Sequence, residues 1–131
     1  MINSAAEFLG LRTSDAPEDQ HRASMEPAPI EVWEELIRDY PDMRFWVAQN
    51  KTVPADILKV LATDGDRQVR AMVARKRKLD PAVAMILAKD ADEGVRMAIV
   101  SNPRMPDEVL RLLLDDPWDR IRSEVSRRLD P

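Results

Sequence analysis

Cysteine is absent from the 131 residues, and histidine occurs once, at His21. Without thiols there is no disulfide framework, thiolate zinc site, cysteine-ligated iron–sulfur cluster or cysteine nucleophile. A single imidazole likewise excludes a histidine-rich metal site, so neither metal nor other cofactor is expected. No stretch approaches the roughly 18 consecutive apolar residues of a membrane-spanning helix. Met1-Ile2-Asn3-Ser4 lacks the basic start and apolar run of a secretory signal. Cytoplasmic residence without membrane association is the resulting expectation. An overall excess of positive charge is also missing: the formal net charge is −4, which argues against a dedicated, tightly binding nucleic-acid protein.

What charge there is has a pattern. Net charge is −3 over residues 1–30, −4 over 31–66, +5 over 67–104 and −2 over 105–131, a basic middle between acidic ends. Such a band steers either an acidic protein surface or a phosphate backbone. The length suits one domain, and 44% hydrophobic content is enough for an ordinary core.

The chain repeats itself every 26 residues without a gap. Met43-Arg44, Val69-Arg70, Val95-Arg96 and Ile121-Arg122 open successive units; Leu61, Leu87 and Leu113 share one later phase, and Asp64, Asp90 and Asp116 another. Repeats of this length cannot bury an apolar face alone and do so against their neighbours. Units near 43–68, 69–94 and 95–120, with partial units at the ends, make residues 30–131 one repeat region. Residues 1–29 stand apart as an N-terminal extension, either a cap on the first unit or a mobile tail. Within it Ala5–Leu11 offers a short apolar contact, and Thr13–Gln20 reads as a loop or turn.

Each unit reads as two short helices. The first spans about 42–50, 68–77, 94–101 and 120–129, and the second about 54–62, 81–88 and 106–114, with a lead-in helix over 30–38. Apolar residues at i, i+3 and i+4, such as Val69, Met72 and Val73, form the inward stripe. Pro54, Pro81 and Pro106 open the second helices, Pro81 one position late because Asp80 caps that helix. Asp66, Asp92 and Asp119 precede the next first helices as N-caps or first-turn acids.

At these positions the chain resembles the leucine-rich repeat variant, a bacterial family related in appearance to HEAT-like helical repeats. The signature runs Val47-Ala48-Gln49-Asn50, Pro54, Leu58, Leu61-Ala62-Thr63-Asp64-Gly65-Asp66, Val69-Arg70, and returns as Ile99-Val100-Ser101-Asn102-Pro103, Pro106, Val109-Leu110, Leu113, Asp116-Pro117, Ile121-Arg122. The resemblance implies an all-α fold, a right-handed α/α superhelix (solenoid) of short helical pairs whose second helices are partly 3₁₀. The middle unit departs from it, with Lys76 where its neighbours have Asn50 and Asn102. An iron–sulfur module known in that family is cysteine-ligated, and this chain has no cysteine to hold one.

Arg75-Lys76-Arg77-Lys78 is the leading binding candidate, with Arg70 and Arg96 either extending the basic band or pairing with the acidic turns. Trp118 either seals the last turn or anchors a partner, whereas Trp33 and Trp46 read as core or cap-facing. No aromatic platform alternates with the cations, which disfavours stacking on single-stranded bases. No catalytic residues are assigned: Glu34 and Glu35 face different directions, His21 has no readable partner, and the repeated aspartates already have capping roles. Asp42, Trp46 and the middle cations leave only a faint analogy to helical-repeat DNA-repair enzymes. The expected function is a noncovalent protein-interaction scaffold or accessory factor, immunity-like, taking an acidic protein surface as monomer or weak homodimer. Nucleic-acid-backbone binding is the alternative.

Overall fold

The computed structural model describes residues 1–130; among them are ten α-helices, one 3₁₀ turn and no strand. The fold is all-helical, as the apolar spacing predicts. None of the described helices is long and apolar enough to cross a membrane. The chain divides into two compact units, residues 1–61 and residues from 62 onward.

The first unit contains α1 (Ala5–Thr13), α2 (Pro17–Met25), α3 (Ile30–Asp39), a 3₁₀ turn (Pro41–Met43), α4 (Arg44–Gln49) and α5 (Ala55–Leu61). Ser4 caps α1 by accepting from the Glu7 amide, and the Glu7 carboxylate accepts from the Asn3 amide at 2.7 Å. Where a loop is expected over Thr13–Gln20, α2 already begins at Pro17. Proline fits the first helical position, and Glu18 and Asp19 in the first turn match the positive end of the helix dipole. Helix α1 packs on α2 and α3. Phe8 and Trp33, both fully buried, meet edge to face at 5.6 Å.

Glu26, just past α2, ties this arrangement to the N-terminus: its carboxylate lies 2.5 Å from Arg22 Nε and 3.1 Å from the Met1 ammonium. These two donors, Arg22 foremost, hold the Glu26 carboxyl at about 2. A carboxyl depressed by folding contributes stability that is fully present above its ordinary value of 4.5 and disappears as pH falls through about 2. We predict that Glu26→Gln lowers the thermal midpoint at neutral pH and that the gap to the parent protein narrows steadily below pH 4.5. A gap independent of pH would mean that the ionised carboxylate is not what stabilises this corner.

The second unit contains α6 (Arg67–Ala74), α7 (Pro81–Ala88), α8 (Glu93–Ser101), α9 (Asp107–Arg111) and α10 (Asp119–Leu129). Helices α6, α8 and α10 form one row with α8 in the middle, while α7 packs on α8 and α9, and α9 on α10. The first row contributes Val73, Val95, Ile99, Ile121 and Val125 to the core, and α7 and α9 contribute Val83, Leu87, Val109 and Leu110. Full burial of each large side chain is worth about 1.5–3 kcal/mol.

Helix starts follow the acidic turns. Asp66 accepts from the Gln68 amide, Asp80 from Ala82, and Asp92 from Gly94 and Val95. Gly94 permits the last of these, since a Cβ there would lie 2.9 Å from the Asp92 carboxylate oxygen. Asp119 is the first residue of α10 and acts as a first-turn acid rather than as a cap. The second helices α5, α7 and α9 are α-helical, with amides of Leu58, Ala84 and Leu110 bonded to carbonyls four residues back. Three-residue bonds accompany these: Lys89 and Asp90 reach Ile86 and Leu87 past α7, and Leu112, Leu113 and Leu114 reach Val109, Leu110 and Arg111, so the partial 3₁₀ character expected of the second helices is seen at the end of α9. Seven or eight residues give α5 and α7 room for the wider ring, whereas α9 has only five and tightens over the residues that follow.

Candidate functional site

Two arginines recur at one position in the second unit and make the same bonds. Arg70 Nε and Nη2 meet the two Asp90 carboxylate oxygens at 2.8 and 3.2 Å while Nη1 donates to the Asp64 carbonyl at 2.7 Å. Arg96 repeats this with Asp116 at 2.7 and 3.4 Å and with the Asp90 carbonyl at 2.7 Å. Each aspartate is oriented independently, because its Oδ1 also accepts from the amide two residues on, Asp92 or Trp118, at 2.9 Å. The bond from Asp90 holds the Arg70 guanidinium above its ordinary value, so this fork stays charged. Arg70 and Arg96, two of the candidate binding cations, are thus fixed in half-buried ion pairs that tie one repeat to the next.

A second column caps helix C-termini across the repeat. The last carbonyls of any helix lack partners within it. The Asn102 amide nitrogen donates to the Ala74 and Lys76 carbonyls at the end of α6, each at 2.9 Å, and its Oδ1 accepts from the Arg104 amide at 2.9 Å. In the next unit the equivalent residue is Arg128, which donates to the Val100 and Asn102 carbonyls at the end of α8. Asn50 does the same within the first unit, reaching the Ala23 and Glu26 carbonyls at the end of α2 at 2.8 and 3.0 Å.

Of the four-cation run, Arg75, Arg77 and Lys78 are exposed and Lys76 is half-buried. They sit at the C-terminal end of α6, where positive charge complements the helix dipole. Arg75 borders a shallow cavity of about 260 Å³ whose lining includes Gly94, Met97, Ser101 and Pro103. A neighbouring cavity of about 450 Å³ shares Met97 and Ser101 and continues to Arg120, Ser123, Glu124 and Arg127 of α10. Together they make a groove across α8 with Arg75 at one end, Ser101 between, and at the other end Arg120 and Arg127 beside the Asp119 and Glu124 carboxylates. Arg127 pairs with Glu124, whose carboxyl this bond holds below its ordinary value.

Met97, Ser101 and Arg127 were not among the sequence candidates. The signal for them is the repeat phase itself, which sets Arg75, Ser101 and Arg127 at 26-residue intervals, just past α6, at the end of α8 and in α10. Trp118 is half-buried in the turn before α10, with the Arg120 guanidinium 5.4 Å from its ring centroid. Trp46 is also half-buried, and its face is covered by Arg12 at 3.4 Å. Asp42, Glu34, Glu35 and His21 are exposed, and among the described residues no group of three His, Cys, Asp or Glu side chains is placed to hold a metal ion. No protein-family model, curated protein or solved structure matches the chain.

Proposed function

We propose that the protein is a noncovalent interaction scaffold of the leucine-rich repeat variant type, its helical pairs continuing as a right-handed superhelix, and that it binds an acidic segment of a partner protein. The observation that carries this reading is the groove across α8, with Arg75 at one end and Arg120 and Arg127 at the other. Neighbouring packed helices are roughly 8–10 Å apart, so the two ends are separated by roughly 16–20 Å. An extended peptide of about five or six residues covers that distance at about 3.3 Å each. Acidic residues at its ends meet the arginines, and an apolar residue between them meets Met97. Arg77 and Lys78, exposed just after Arg75 in the chain, add to the attraction during approach.

The test uses a labelled ten-residue Glu/Asp-rich peptide and a labelled single-stranded oligonucleotide, followed by anisotropy. Arg75→Gln with Arg77→Gln and Lys78→Gln removes three exposed charges and leaves the half-buried Lys76 in place. The triple variant is expected to bind the peptide about tenfold more weakly, the sum of three exposed charge pairs at about 0.5 kcal/mol each. Ser101→Glu, an exposed change in the middle of the groove, is expected to weaken it further by repulsion. Unchanged peptide affinity in both variants rejects the groove. Oligonucleotide binding that exceeds peptide binding and falls steeply with salt turns the assignment to nucleic-acid backbone.

A further inference from the structure

The groove across α8 is one furrow made twice. Its smaller cavity, bordered by Arg75 and α8, and its larger one, bordered by α8 and α10, are lined at the same repeat phase by three pairs of residues 26 apart: Gly94 and Arg120, Met97 and Ser123, Ala98 and Glu124. The phase is shared and the chemistry is opposite. Glycine, methionine and alanine make the first furrow apolar, whereas arginine, serine and glutamate make the second polar. Arg120 shows that a long side chain at this phase borders its cavity, and Gly94 leaves the corresponding space open in the first. That space, about 260 Å³, is below the roughly 300–1,000 Å³ of a small-molecule site and suits a single side chain.

The two groups best placed to hold that side chain both favour an aromatic ring over an aliphatic one. Met97 offers a thioether to a ring edge, and the exposed Arg75 offers a guanidinium to a ring face. In the polar furrow Glu124 already takes Arg127, while Arg120 has no carboxylate partner among the described residues. We infer that the acidic segment carries an aromatic residue three positions from an acid, its ring seated over Gly94 against Met97 and Arg75 and the carboxylate paired with Arg120. This rests on the groove reading and names the ligand more closely. The spacing follows from the repeat. Packed helices lie roughly 8–10 Å apart, and a polyproline II segment returns to the same face every third residue after an advance of roughly 9 Å.

The probes are labelled ten-residue peptides with a glutamate three residues away on either side of one variable position, which carries phenylalanine, cyclohexylalanine or alanine. Anisotropy is expected to show the phenylalanine peptide binding about tenfold more tightly than the alanine one. Cyclohexylalanine keeps the size and loses the ring electrons, so its peptide should bind about fivefold more weakly than the phenylalanine one. A control with both glutamates directly beside the phenylalanine keeps composition and charge but misses Arg120, and about threefold is lost. Gly94→Gln should lower the phenylalanine peptide to the level of the alanine peptide and leave the latter unchanged. Gln68 holds this position one repeat earlier behind its own capping aspartate, so the repeat accommodates the change once the Asp92 side chain shifts from the added Cβ. Circular dichroism checks that the variant folds, and the peptide series on the parent protein decides without it. Equal binding of phenylalanine and alanine peptides, of phenylalanine and cyclohexylalanine peptides, or of spaced and adjacent glutamates would each overturn the inference. If Arg75→Gln with Arg77→Gln and Lys78→Gln still weakens all of these peptides, the groove reading stands while this one falls.

Discussion

Asn102→Asp is expected to be among the most damaging single substitutions in the second unit, costing about 3 kcal/mol or more in urea unfolding followed by circular dichroism. Asn102 is only 4% exposed, and its amide nitrogen is shared between the Ala74 and Lys76 carbonyls. A carboxylate sets a negative acceptor against two acceptors that have lost their donor, in a place water hardly reaches. Asn102→Ala leaves the same carbonyls without that donor and adds no charge, so about 2 kcal/mol is expected. Asn102→Lys should be the mildest of the three, because Arg128 fills the equivalent position with a cationic donor and lysine itself stands at position 76. If the lysine variant falls as far as the aspartate variant, shape rather than donation governs the position.

Arg96→Met is the second large effect. It leaves the Asp116 carboxylate, whose side chain is 3% exposed, with the Trp118 amide but no cation. Removing one member of a buried ion pair costs about 3–5 kcal/mol, since the charge that remains is neither solvated nor paired. Adding Asp116→Asn to that variant removes the stranded charge while its amide oxygen still accepts from Trp118, and about 1 kcal/mol or more should return. Arg67→Met is the control. Arg67 contacts Asp92 at 3.5 Å, but its side chain is 69% exposed, so less than about 0.5 kcal/mol is expected. Equal losses for Arg67 and Arg96 would show that burial does not separate them.

These contrasts mark how far the sequence could be read. The 26-residue phase places the helices of the second unit within a few residues, because apolar spacing and the acids before each first helix act locally. Asp80 as cap with Pro81 behind it was legible for the same reason. The start of α2 was not, since Pro17 with two acids serves a turn as well as a first helical turn. The column residues were visible as a pattern but not as contacts. Arg70 bonds a side chain 20 residues ahead, and Asn102 reaches carbonyls 26 and 28 residues behind, distances that only helix packing sets. Asn50 and Asn102 bond their own turns through Oδ1, while the amide nitrogen makes the longer connection. Met97 and Ser101 carry no chemical signature of a site and are found through their place between two arginines.

The cross-repeat caps also give the second unit a direction in time. The turn at residues 74–76 leaves the ribosome before Asn102 does, and the turn at 100–102 before Arg128. Each emerging helix end therefore waits for about one further repeat to emerge before its side-chain donor can reach it, and meanwhile water must serve those carbonyls. Consolidation follows translation at a fixed lag, with every new repeat completing the one made before it.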